Sequence, residues 1–236
     1  MERARAAGFN GAAMATKAII SYDGTDNDRD ALALGKLLGE AGAAIELAYV
    51  RHATEPEPEG EALAQASADA LLTEGAGSLG NPNLPRHVVL SASTGEGLSA
   101  LAVAEGADVV VFGSDYRTTP GHLQPGTSAQ RMLEGGPVAV AIAPAGFRER
   151  EGLSPKVVGA IGEVGDRSAL ETAASLADAL GAELAEKSDS SVGMLVVGSQ
   201  QLAASGRVAM SAAAQYVVET SRCPVLVLAR GKTVRF

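Results

Sequence analysis

Short apolar runs alternate with longer stretches of helical periodicity along most of the chain, the pattern of βαβ units and a parallel sheet. "KAIISYD" (17–23) reads as a buried strand. "DRDALALGKLLGEAG" (28–42) reads as a helix, carrying Leu32, Leu34, Leu37 and Leu38 near helical spacing and stopping at glycine. "AIELAYVR" (44–51) is a second strand, followed by a Pro- and Glu-rich stretch (55–59) expected as a solvated loop and then a helix of Ala and Leu. "RHVVLSAS" (86–93), "DVVVFG" (108–113) and "PVAVAIAP" (137–144) complete five strands, with helices expected in "GEGLSALAVAEGA" and "SAQRMLEGG" between them.

After a charged linker, "AGFRERE", the pattern partly repeats. "KVVGAIG" (156–162) resembles the first strand, and "DRSALETAASLADALGAEL" repeats "DRDALALGKLLGEAGAAIEL". "VGMLVVGSQ" (192–200) matches "ADVVVFGSD", and "AAAQYVVETSRCPVLVLA" matches "TSAQRMLEGGPVAVAIA". Such self-similarity outweighs any single motif. The second copy is shorter: only "AEKSDSS" separates its second strand from its penultimate one, so a helix–strand–helix segment is missing. The expected organisation is a flexible tail over 1–16, a first domain over 17–146 and a truncated second domain over 155–231. Met14 would also make a natural start.

Composition narrows the function. The chain has 236 residues, of which 46% are hydrophobic and 20% charged, an ordinary globular balance able to bury a core. There is no Trp, with four Phe and four Tyr, which argues against base-stacking platforms for single-stranded nucleic acid. A formal charge of −9 argues against nucleic acid or an anionic membrane as partner. Lone Cys223 cannot form an intrachain disulfide and is expected as buried packing, while His52, His87 and His122 have no metal-ligand spacing. No apolar h-region or membrane-length run occurs, so a cytoplasmic protein is expected.

The chemistry concentrates in "DVVVFGSDYRTTPGHLQPGTSAQRML" (108–133), where an unusually long connection runs from Gly113-Ser114 to Gly126-Thr127-Ser128. In a sheet of order 3-2-1-4-5, the first and fourth strands flank the switch point beyond which ligands bind. The first strand ends in Asp23-Gly24-Thr25 and the fourth in Gly113-Ser114, so both turns converge on one crevice. A helix N-terminus at Gly126 offers unpaired N–H groups to an anion, glycine admits a phosphate without a Cβ, and the Thr127 and Ser128 hydroxyls can donate to it. Asp23 is acceptor-only when ionised and suits a ribose hydroxyl or a base amine. The long loop would then lie over a phosphate chain. The plainer alternatives are a surface connection with ordinary N-cap residues and a turn or cap role for Asp23 in "DGTDND". An exposed His122 without a role is the plainer reading there too.

These residues resemble the universal stress protein family, as a tandem of two such domains spanning residues 17–230. Its nucleotide-binding members carry Gly, two residues, Gly, nine residues, then Gly followed by Ser or Thr. Here Gly113 is followed by Ser114 and Asp115, Tyr116 stands where the second glycine would, and Gly126 and Thr127 come nine residues later. The resemblance implies a Rossmann-like α/β fold of the adenine nucleotide alpha hydrolase type, duplicated as an intrachain pseudo-dimer with the last strands of the two copies paired. Homodimerisation of the whole chain is a further expectation. It implies an adenine nucleotide site for ATP (with Mg) or AMP at Tyr22, Asp23, Gly24, Val50, Phe112, Gly113, Ser114, Tyr116, Gly126, Thr127 and Ser128. It also implies a regulatory role in stress response. Tyr116 and Asp115 cut against a triphosphate, with Arg117 beside them as an offset. In the second copy Gly198-Ser199 persists, but Gln201, Ser211 and Ala212 stand at the other motif positions and Glu163 lies only next to the aspartate position. That copy is expected to be degenerate.

No nucleophile–base pair, Walker lysine or metal cluster points to an enzyme, and ATP hydrolysis, if any, would be slow and incidental. A phosphoryl-receiver domain would need an acidic pair and a lysine that the sequence lacks at those places. The alternative function is a protein–protein interaction module whose nucleotide site has decayed.

Overall fold

The computed structural model describes residues 15–52 and 58–236. The first 14 residues of the expected tail and residues 55–57 of the expected loop lie outside the described residues. Thr16, placed with the tail by the sequence pattern, is buried and accepts a hydrogen bond from the Ala44 N–H (2.7 Å), so it belongs with the body.

Nine strands form one sheet among the described residues: β1 (Lys17–Ser21), β2 (Ala44–Arg51), β3 (Arg86–Leu90), β4 (Val109–Gly113), β5 (Ala139–Ala143), β6 (Val157–Ile161), β7 (Glu183–Ala185), β8 (Met194–Val197) and β9 (Val225–Val227). Their order is β3-β2-β1-β4-β5-β9-β8-β6-β7. The first five follow the expected 3-2-1-4-5 order, and β7-β6-β8-β9 is the same order with its outermost strand missing. Every pairing is parallel except one: β5 and β9 run antiparallel, with Val140 opposite Val227, Ala141 opposite Leu226 and Ile142 opposite Val225. The strand tips are shorter than their apolar runs suggest, because the last apolar residues of each run lead into turns.

Helices cover both faces, as a parallel sheet with near-continuous apolar strands requires. α1 (Asp26–Glu40), α2 (Pro58–Ser78) and α5 (Ser168–Leu180) pack on one face, where Leu34, Leu38, Leu72 and Leu176 meet Ile20, Val111 and Val196. α3 (Thr94–Glu105), α4 (Thr127–Leu133) and α6 (Ala212–Thr220) pack on the other, where Leu98, Met132 and Val218 meet Ile19, Val110 and Val227.

The second half lacks counterparts of α2, α3 and β3. Its uncovered sheet surface is closed by the chain itself. At Gly159, in the middle of β6, a Cβ would lie 2.4 Å from the Lys187 carbonyl oxygen and 2.9 Å from Val192. Glycine there lets the short 186–192 loop lie directly on the sheet, where a helix would otherwise stand. Residues past the expected domain end at 231 also pack: the Val234 N–H donates to Thr172 Oγ1 (2.9 Å) and the Phe236 N–H to Ser175 Oγ (2.9 Å), both on α5.

Asp30 of α1 fastens the linker between the halves. Its fully buried carboxylate accepts from the Gly146 N–H (2.8 Å) and the Arg148 N–H (2.9 Å), with the Arg148 guanidinium 3.5 Å away. Asp30→Ala would strand two backbone donors and should destabilise the protein by about 2–4 kcal/mol. Asp30→Asn, which keeps an acceptor, should cost less. Urea unfolding midpoints at unchanged m-value check both.

Candidate functional site

The connection after β1 turns to the α1 face and that after β4 to the α4 face, so the crevice beyond these two strands is the switch point of the first half. Asp23 opens it. Its carboxylate accepts from the Thr25 N–H (3.0 Å), and its own N–H donates to Asp28 Oδ2 in the first turn of α1. Asp23 is exposed and Asp28 half-buried. Burial and then the neighbouring Asp23 carboxylate push the Asp28 carboxyl up to about 8, so at neutral pH it holds a proton and can donate to Asp23. Burial acts to raise Asp23 as well, but the hydrogen bonds from Asp28 and Thr25 outweigh it and hold this carboxyl below its usual range. The pair shares one proton and one negative charge.

Two glycines of the motif do different work. A Cβ on Gly113 would lie 2.0 Å from the Asn27 carbonyl oxygen, so this glycine lets the first turn of α1 rest on the end of β4. Asn27 then donates through Nδ2 to the carbonyls of Ser114 (2.9 Å) and Asp115 (2.6 Å). At Gly126 a Cβ would meet only the Asp115 Cα, 3.9 Å away, and the space before it is open. Gly126 leads α4 with extended backbone and no side-chain cap, and Thr127 and Ser128 stand in its first turn with their side chains at least partly exposed.

The loop between these glycines is a folded clasp on β5. Ser114 Oγ donates to the Ala143 carbonyl (2.8 Å) and accepts from the Gln124 N–H (3.3 Å). The Asp115 N–H donates to the Gln124 carbonyl (2.8 Å), and Gly121 and His122 pair with the two sides of Ala145 (2.8 and 2.9 Å). A bridge between Ser114 and Pro125 brings Gly126 beside Gly113. The hydrogen bonds of this clasp, though not the bridge, recur 85 residues later. Ser199 Oγ donates to the Leu228 carbonyl (2.6 Å) and accepts from the Ala209 N–H (2.9 Å), Gln200 bonds Ala209 (2.8 Å), and Gly206 and Arg207 pair with Arg230 (2.9 Å each). One difference stands out. Ser211, at the place of Gly126, turns its hydroxyl inward and accepts from the Ala214 N–H (3.2 Å), so α6 caps itself where α4 does not.

The other predicted site residues fall around this frame. Asp23, Gly24, Gly113, Ser114, Gly126, Thr127 and Ser128 are gathered at the crevice. Tyr22, Val50 and Phe112 are 2%, 6% and 6% exposed and are not brought together: Tyr22 packs into the core under α1 and α2, Val50 and Phe112 into the core on the other face under α3 and α4. Gly24, at φ +84°, sits against Leu71, where a Cβ would come within 2.6 Å. Tyr116 is 74% exposed, with the Arg117 guanidinium 5.1 Å over its ring, and Arg117 also pairs with Asp115 at 3.1 Å. That hydrogen-bonded ion pair holds the Asp115 carboxyl below its usual range, so the charge beside the loop is offset. His122 is exposed and Cys223 buried.

Sequence reasoning missed Asn27 and Asp28, which it placed in a turn-rich stretch. It also missed a cluster at the opposite end of the strands, where Glu46, His87 and Glu105 come within metal-ligand reach of one another. There the Lys17 ammonium lies 3.1 Å from Glu46 and 3.5 Å from Glu105, and His87 Nε2 lies 2.8 Å from Glu46, so a cation already occupies the centre.

No protein-family model and no curated protein matches the chain. Solved structures do. A universal stress protein from Archaeoglobus fulgidus is similar over 92% of this chain and 100% of its own, with a TM-score of 0.67 at 13% identity. The chain has the fold of the universal stress proteins. A Pseudomonas aeruginosa protein provisionally assigned to them is similar over 91% of this chain and 93% of its own (TM-score 0.61, 14% identity). Another from the same organism, of unknown function, covers 92% and 94% (TM-score 0.58, 13% identity). The universal stress protein fold thus extends over both halves, including the shortened one.

The acidic pair has a measurable signature. The folded state keeps the Asp28 proton up to about pH 8, whereas the unfolded chain releases it near 3.8. The stability that this proton adds is therefore full below the unfolded value and is lost as pH rises through the folded one. Melting temperature should carry a component that falls between these limits, and Asp28→Asn should flatten it; a series of thermal melts from pH 4 to 9 checks this.

Proposed function

We propose that the protein is a nucleotide-responsive regulatory protein of the universal stress type, binding one adenine nucleotide, ATP with Mg or AMP, in the crevice of its first half. The reading is supported most directly by the contrast between the two equivalent helix starts. Both have the same extended N-cap backbone (ψ 167° and 161°), yet Ser211 satisfies its own helix while Gly126 leaves the α4 donors free. Free N–H groups, an open approach at Gly126 and two flanking hydroxyls fit a phosphate. In this reading Asp23 accepts from a ribose hydroxyl or base amine, Val50 and Phe112 give apolar backing, and Tyr116 stays clear of the phosphates. Mg would supply charge neutralisation for a triphosphate. The boundaries 17–146 and 155–236 serve as the two domains, with the second acting as a scaffold rather than a second site.

A second reading, an interaction module without nucleotide, is favoured by the clasp. Its hydrogen bonds recur in the half that lacks the motif, so the loop holds its shape without a ligand, and Gly113 is accounted for by Asn27.

One substitution separates the two. Gly126→Ser copies the self-capping residue of α6 onto α4. It should leave the ligand-free stability unchanged or raise it by a few tenths of a kcal/mol, roughly the advantage of Ser over Gly at an N-cap. It should also shrink the shift produced by ATP, ADP or AMP, since a ligand stabilises only through its binding to the folded state. Thr127→Ala should weaken binding by about 0.5–1.5 kcal/mol, or up to ~3 with phosphate charge. Calorimetric stoichiometry should not exceed one. If no adenine nucleotide shifts the parent protein, the interaction-module reading stands instead.

A further inference from the structure

Asp23 and Asp28 set two carboxyl groups side by side at the crevice, where the Asp23 N–H donates to Asp28 Oδ2. Among the described residues neither carboxyl has a cationic partner within ion-pair distance. Two adjacent carboxyls without a cation between them do not both ionise at neutral pH, so one proton and one charge are shared. The surrounding charges leave that balance in place. On α1, Arg29 pairs with Asp26 (3.8 Å), and the Arg148 guanidinium is turned to Asp26 and Asp30 (3.8 and 3.5 Å). From α2, Glu74 faces Tyr22 and adds negative potential. Across the crevice Arg117 is committed to Asp115 (3.1 Å).

The pair stands close to where a phosphate would enter. Asn27, the residue before Asp28, donates to the Asp115 carbonyl (2.6 Å). The Asp115 Cα in turn is 3.9 Å from where a Cβ on Gly126 would lie. A line of direct contacts thus runs from the acidic pair to the open helix end. A phosphate dianion on the order of 10 Å from the pair would feel one further carboxylate charge as an affinity loss of about three- to tenfold.

We propose that Asp28 is the charge gate of the crevice: a phosphate-bearing ligand binds while the pair holds its proton, and binding weakens when the second carboxyl ionises. This inference rests on the nucleotide reading of the same crevice and adds its regulation.

The direction follows from electrostatics. Burial, and then Asp23, hold the Asp28 carboxyl up to about 8 in the ligand-free protein. A bound dianion raises it further, so binding at mildly alkaline pH takes up a proton. Affinity is full well below the ligand-free value, falls as pH rises through it and levels off above the ligand-bound value. A nucleotide's own phosphate, with its second ionisation near about 6, is already a dianion over this range. Burial raises the Tyr22 hydroxyl above its usual range, so it stays protonated there.

The test is calorimetry of the full chain with AMP, without magnesium, at pH 7 and pH 9 and constant ionic strength. Titrations at pH 8 in two buffers of different protonation enthalpy count the protons exchanged. The parent should bind AMP about three- to tenfold more weakly at pH 9 than at pH 7 and should take up a fraction of a proton at pH 8. Asp28→Asn, neutral at every pH, should bind AMP equally at pH 7 and pH 9 with no proton uptake. If the parent binds AMP equally at both pH values, or takes up no proton, the gate fails and the nucleotide reading stands. The gate also fails if Asp28→Asn keeps the pH dependence of the parent. A change in the circular dichroism of the ligand-free parent between pH 7 and pH 9 overturns it too, since loosening of the fold would then explain the loss. If the parent does not bind AMP at pH 7, the gate falls together with the reading on which it rests.

Discussion

The antiparallel pairing of β5 with β9 is the contact on which the rest of the molecule depends. Both strands are fully buried, and each would otherwise be the open edge of its own half-sheet, a template for unwanted pairing. Joining them removes two edges at once and gives a four-stranded remnant a neighbour to build on. That remnant keeps only two helices, one on each face. It survives because its last strand continues a larger sheet and because the 186–192 loop settles onto Gly159 in place of a helix.

The strands and the repeat were legible because buried parallel strands read as unbroken apolar runs, and because the two copies of "VxGS", at 111–114 and 196–199, announce themselves. The 3-2-1-4-5 order followed from that repeat and from the family resemblance. What was not legible depends on contacts between distant residues. Asn27 sits in a stretch that reads as turn chemistry, and only the fold brings its amide to Ser114 and Asp115. Asp28 looks like a surface acid until α1 places it against Asp23. Ser114 and Ser199 read as motif residues, yet each hydroxyl spans 29 residues to hold a strand-end carbonyl. Nothing local in the sequence predicts that span.

The same separation clarifies the glycine motif. Gly113 and Gly126 look alike in the sequence, but one is demanded by a backbone that presses against it and the other leaves space unfilled. Only the second is free to serve a ligand. The paired motif in the other half divides differently: Gly198 persists while Ser211 spends its hydroxyl on its own helix. Comparing equivalent positions within one chain is thus more informative than counting motif matches, because both copies share the same scaffold.

The linker that Asp30 fastens after β5 has a consequence for how this molecule can change. In an assembly of two identical subunits the edges meet at a rate set by concentration, and every substitution appears twice across the axis. Here residues 144–156 tether the two edges permanently, so their meeting is intramolecular and insensitive to dilution. A change on one side also leaves the other untouched. The two halves are therefore free to drift apart, one preserving an open helix end while the other sheds whole elements, provided both keep the shared strand pair.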